Sequence, residues 1–151
     1  MIEAVIAFSL LAAQDRGDFW VVTHADAGEA TAINVGFAFV PEGEDFVLTT
    51  AYTVHRNGTA ATRWTTPAYT LEFLAFRCAD RTYRLRRSQT WSGVADPDGP
   101  HEPDGPFTSV ALDPKRAAQA DAVCQPRSNH TEGFRSYFDF MGAYGLVDRK
   151  E

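Results

Sequence analysis

The sequence predicts an α+β fold that is mainly β: an antiparallel sheet of about five or six strands with a short C-terminal helix tied to it by one disulfide. Three observations lead there. Segments rich in aromatic and β-branched residues recur between turn signals. One alanine-rich stretch carries helix start and stop signals. The two cysteines, Cys78 and Cys124, fall at the end of a predicted strand and the end of the predicted helix.

The strand reading runs from the N-terminus. Residues 18–25 (DFWVVTHA) and 30–40 (ATAINVGFAFV) are predicted strands separated by a turn at Gly28. After the turn PEGED, residues 46–56 (FVLTTAYTVHR) form a third strand. It ends at Asn57-Gly58, a dipeptide whose backbone freedom suits a tight hairpin; TAATRW is the candidate return strand. Residues 68–78 (AYTLEFLAFRC) and 82–91 (TYRLRRSQTW) are joined by only ADR and so predict an antiparallel hairpin. In the first arm, Leu71, Phe73 and Ala75 alternate with Leu74, Phe76 and Cys78. Apolar groups on both faces predict an inner strand with something packed on each side.

Residues 112–124 (LDPKRAAQADAVC) are the helix: Asp113 is a suitable N-cap, Pro114 fits the first helical position, and alanine has high helix propensity. Ala117, Ala120 and Cys124 share a face, so the axis can approach the sheet closely. Before the helix, Pro-Asp-Gly-Pro occurs twice between residues 96 and 106, predicting tight turns in a loop.

Composition bounds the function. A chain of 151 residues predicts one domain, and 44% hydrophobic content is enough for a core. Residues 1–13 (MIEAVIAFSLLAA) read as a signal peptide, too short to span a bilayer, with Gln14 where a lipid anchor would need cysteine. Residues 14–127 are then the domain and 128–151 an aromatic extension. This predicts a periplasmic, secreted or cell-surface protein, whose mature chain does not insert in a membrane. An uncut N-terminal helix or strand is the other reading. In an oxidising compartment, the two cysteines predict a Cys78–Cys124 disulfide; in a reducing one, two buried thiols.

The net charge of −6 opposes nucleic-acid binding. Against that background, Arg77, Arg81, Arg84, Arg86 and Arg87 are balanced locally only by Asp80. They form a candidate patch for an anion or a partner, with Arg84 and Arg86 on one strand face able to clamp a carboxylate, sulfate or phosphate. The plainer reading is that they pair with acids such as Glu72 on the neighbouring strand. No nucleophile elbow, phosphate-gripping glycine loop or metal-ligand spacing is present, which predicts a protein that is not an enzyme and uses no cofactor or metal. Residues 134–146 (FRSYFDFMGAYGL) predict a strand or short helix covering exposed core, or a dimerising surface.

The order of DFWVV, FRCADRTYRLRRSQTW and FTSVALDPKRAAQADAVC resembles the surface-adhesin protein E family of exported bacterial proteins. Phe107 stands where that family's pattern has tryptophan. The resemblance implies an antiparallel sheet with a C-terminal helix held by the disulfide. It also implies an exported envelope protein that binds other proteins at the cell surface, as an adhesin does. The arginine strand adds an anionic polymer as a candidate ligand, and edge strands and the aromatic tail offer the alternative of a structural subunit that forms a homodimer.

Overall fold

The computed structural model describes residues 17–55, 68–91 and 105–144. The leader, the Asn57-Gly58 hairpin with its return strand, and most of the Pro-Asp-Gly-Pro loop lie outside them. Six strands form one antiparallel meander in the order β1-β2-β3-β4-β5-β6: β1 Trp20–Ala25, β2 Glu29–Asn34, β3 Val47–His55, β4 Tyr69–Arg77, β5 Thr82–Trp91 and β6 Thr108–Ser109. Two short helices follow, α1 Pro114–Val123 and α2 Tyr137–Tyr144. The predicted mainly β fold with a C-terminal helix is therefore present, and the helix is joined by a second one.

The chemistry of β2 shows why two helices are needed. Every residue from Ala30 to Asn34 is buried, so both sheet faces are covered there. On one face Ile33, Ala51, Leu74 and Phe76 pack under Ala120, Ala122 and Val123 of α1. On the other, Trp20, Ala30, Ala32, Tyr52 and Val54 pack under Phe140 of α2. A single helix would leave one of these apolar surfaces in water.

β2 is shorter than the predicted strand, and Asn34 is the reason. Its side-chain carbonyl accepts the backbone N–H groups of Gly36 and Phe37, both at 3.1 Å, turning the chain out of the ladder. The chain then crosses Gly17 so closely that a Cβ on Gly36 would lie 1.8 Å from the Gly17 carbonyl oxygen. It rejoins the sheet where Phe39 pairs with Leu48.

The helix α1 starts as its sequence predicts. The Asp113 carboxylate accepts the N–H groups of Lys115 and Arg116, each at 3.1 Å, and Pro114 needs no such partner. Its small apolar face buries little area, so it is held at both ends. The Cys78–Cys124 disulfide closes its C-terminal end, with 5.6 Å between the two Cα atoms. At the other end Arg116 reaches Glu72 on β4 through two hydrogen bonds of 2.8 and 2.9 Å, and Lys115 pairs with Glu29 on β2.

The aromatic extension belongs to the same fold. Phe134 pairs with Trp20 at the border of β1, exchanging backbone hydrogen bonds of 2.7 and 2.8 Å. Gly133 allows this approach, because a Cβ there would sit 2.6 Å from the Trp20 carbonyl oxygen. The Ser136 hydroxyl then accepts the Asp139 N–H at 3.1 Å at the start of α2. Phe140 is fully buried against Tyr52, Phe134 and Tyr144. Phe140→Ala should therefore lower unfolding free energy by about 3–5 kcal/mol in urea denaturation; a loss below about 1 kcal/mol would mean that α2 is not part of the core.

Candidate functional site

The arginine strand was the candidate patch, and the structure divides its residues among different tasks. A bulge in β5 sets the division. Phe73 lies opposite Arg87 and Leu74 opposite Leu85, leaving Arg86 without an opposite residue. Leu85 and Tyr83 face α1, while Arg84, across from Ala75, takes the other face.

Arg77 bonds Asp45 at 3.1 Å and lies 3.8 Å from the Phe107 ring centroid. Arg84 lies over the same ring at 4.7 Å, so the Phe107 phenyl group is contacted by two guanidinium groups. Arg81 holds φ at +53°, a turn conformation that normally favours glycine, and its guanidinium meets Asp121 of α1 at 2.8 Å. Glu72 is not taken by a neighbouring-strand arginine as the plainer reading had it: it faces α1 and accepts Arg116 instead. Arg84 lies over Phe107, while Arg86 and Arg87 adjoin at the bulge.

Those two arginines border a groove on the α2 side of the sheet. Its first section, about 490 Å³, is lined by Phe37, Phe39, Leu48, Thr50, Phe73 and the two arginines, among others. A second concavity of about 430 Å³ adjoins it at Phe37 and Thr50 and is lined by Trp20, Tyr52, Tyr69, Leu71 and Tyr137, among others. The groove exists because α2 covers only part of this face. Phe37 and Phe39, carried outward by the Asn34 turn, are 58% and 57% exposed. Phe73 and Thr50 face each other across β3 and β4. Asp18, fixed by the Asn34 amide at 2.8 Å, also lines the second concavity. Both concavities have aromatic floors; the first is bordered by two guanidinium groups and the second by a carboxylate. Phe37, Phe39 and Trp20 were not singled out from the sequence; the only signal was a pair of phenylalanines just after Gly36.

The opposite face carries a polar cluster at the N-terminal end of α1. Glu29 there meets Lys115 and lies 3.6 Å from His55 and 3.8 Å from His24. His55 contacts the Thr70 hydroxyl at 2.9 Å, and Arg116 also donates to Gln119 at 3.0 Å. Burial opposes the Arg116 charge, yet the bonds to Glu72 and its negative charge outweigh it and hold the guanidinium above its ordinary value. These groups satisfy one another and fix the helix. Among the described residues, no cluster of His, Cys, Asp and Glu has metal-binding geometry, and no helix is long and apolar enough to cross a membrane.

No family model, curated protein or solved structure matches the chain.

The floor of the groove has a titration signature. Tyr52 stacks on Tyr69 with centroids 4.9 Å apart and lies 5.3 Å from the Tyr137 ring. Burial raises its phenol above the ordinary value, and Tyr69 and Tyr137 add to the rise. The fold favours the neutral phenol, so this contribution is complete below pH about 10 and is lost as pH rises toward the folded-state value, at up to about 1.4 kcal/mol per pH unit. Urea unfolding between pH 9 and 11 should show stability falling with pH, and Tyr52→Phe should remove about 1 kcal/mol of that fall. An identical fall in the variant would place the effect elsewhere.

Proposed function

We propose that the chain is a non-catalytic binding protein of the bacterial envelope, exported through residues 1–13, that presents the groove on its α2 face to ligands bearing an anionic group. The observation carrying this reading is the juxtaposition of exposed Phe37 and Phe39 with Arg86 and Arg87 around one concavity. An apolar concavity with a few polar groups at its edge is the usual form of a small-ligand or peptide site. Two guanidinium groups give it a sign opposite to the chain's net charge of −6, so they favour anions locally. The disulfide, the leader and the resemblance to surface-adhesin protein E proteins support an extracytoplasmic setting.

A second reading, an envelope assembly subunit, is favoured by one observation. Phe138 is 60% exposed on the outside of α2 and stacks on Tyr137, which also lines the groove. Exposed apolar surface that continues from helix to groove suits self-association.

The probe is 1-anilinonaphthalene-8-sulfonate, an aromatic anion that fluoresces when its water is removed. The native chain should bind it at one site, and the double variant Arg86→Ala/Arg87→Ala should weaken binding by about tenfold, as expected for lost charge-assisted hydrogen bonds. Absence of binding, or affinity unchanged in the variant, would contradict the reading. A chain that sediments as a tight dimer and binds no probe would favour the assembly reading.

A further inference from the structure

We infer that the second concavity is a site for a small organic cation, a free molecule carrying a trimethylammonium group, held by aromatic rings and the Asp18 carboxylate. It lies beside the anion-binding concavity proposed above and does not rest on it.

Three features select this occupant. The first is the lining. Trp20 and Tyr52 are buried and make the floor, Tyr69 and Tyr137 are half-buried beside them, and Phe37 stands exposed at the border. Ala32 makes this grouping possible. It is the residue of β2 opposite Tyr52, and its side chain is small enough for Trp20 on β1 and Tyr52 on β3 to meet over it, with ring centroids 6.4 Å apart. Trp20 stands at 76° to Tyr52 and 72° to Tyr137, so the rings border the space from more than one direction. Each ring carries a negative face that attracts cations.

The second feature is charge. Asp18 is the only charged side chain among the described residues that line this concavity. The Asn34 amide donates to its carboxylate at 2.8 Å, and the oxygen of the same amide accepts the Phe37 N–H at 3.1 Å. One side chain therefore sets both the negative group and the exposed ring at the same space. The chain's net charge of −6 adds to the attraction for a cation.

The third feature is what the lining leaves unmet. A metal ion needs several oxygen or nitrogen ligands, and among the described residues no cluster supplies them. A primary ammonium group brings three N–H donors, which rings accept less well than water does. A trimethylammonium group has no N–H to satisfy and presents its charge through methyl groups that pack on rings. At about 430 Å³ the concavity is in the size range of small-ligand sites.

The test is isothermal titration calorimetry of the full chain with choline at low ionic strength. Choline should bind saturably at one site. Its neutral isostere, in which tert-butyl replaces the trimethylammonium group, should bind about tenfold more weakly for want of charge. Ethanolamine should bind more weakly for want of methyl groups. Asp18→Asn, which keeps an oxygen for the Asn34 amide, should weaken choline by about tenfold. Phe37→Ala, at an exposed position, should weaken it severalfold while urea unfolding stays unchanged. If Asp18→Asn fails to fold, the ligand series on the native chain and Phe37→Ala decide.

Absence of choline binding, equal affinity for the neutral isostere, tighter binding of ethanolamine, or unchanged affinity in Asp18→Asn would each overturn the inference. So would binding to phosphatidylcholine vesicles without binding to choline, which would point to a membrane ligand. Anilinonaphthalene sulfonate binding without choline binding would overturn it and leave the proposed function standing. Choline binding without sulfonate binding would uphold it and remove the anion-binding reading.

Discussion

The structure depends on how α1 is fastened to the sheet. Its buried face is made of Ala120, Ala122, Val123 and Gln119, side chains too small to hold a ten-residue helix by apolar area alone. The disulfide ties Cys124, which caps the helix, to Cys78, just past the end of β4, and the Arg116–Glu72 fork fixes the helix's first turn to the same strand. The small residues then become an advantage, because they let the axis settle close over Ile33, Leu74 and Phe76. The fork is nearly enclosed, with 14% and 16% of its two side chains exposed, so removing either partner would strand a charge in a poor solvent for it.

With one face sealed in this way, the other is left to α2. That helix covers the Trp20 and Tyr52 end and stops, leaving Phe37, Phe39 and Phe73 around an open trough. The bulge that brings Arg86 and Arg87 together at its border also serves the fold. Among the described residues, β6 pairs only with Thr82 and Tyr83, so the rest of β5 borders the sheet. Charges and a bulge on such a strand discourage edge-to-edge pairing with another molecule. The same arginines thus blunt an exposed strand and border the concavity beside Phe73.

The sequence showed local chemistry well. The β4–β5 hairpin, the Asp113-Pro114 helix start and the Cys78–Cys124 pairing were all legible, because each is encoded in a short stretch or in two residues that meet. The second helix was half legible. Tyr137, Phe140, Met141 and Tyr144 follow helical spacing, but Phe138 beside Phe140 mimics strand alternation, so strand or short helix was as far as the pattern went. The groove was not legible. It depends on the Asn34 turn throwing Phe37 and Phe39 outward, on the β5 bulge, and on where α2 stops, none of which has a periodic signal. Glu72 was assigned to a neighbouring-strand arginine because sequence shows strand neighbours and not the helix that arrives from forty-four positions away.

The central claim is that the sulfur bridge, and not the helix's own burial, keeps α1 in place. It is tested most directly by urea unfolding of chain recovered from an oxidising compartment, with thiols counted, before and after reduction. The two cysteines are 46 positions apart, and the oxidised chain should contain no free thiol. Reduction should lower its unfolding free energy by about 4 kcal/mol. Two free thiols in the isolated chain, or the same stability with the bridge open, would contradict the account.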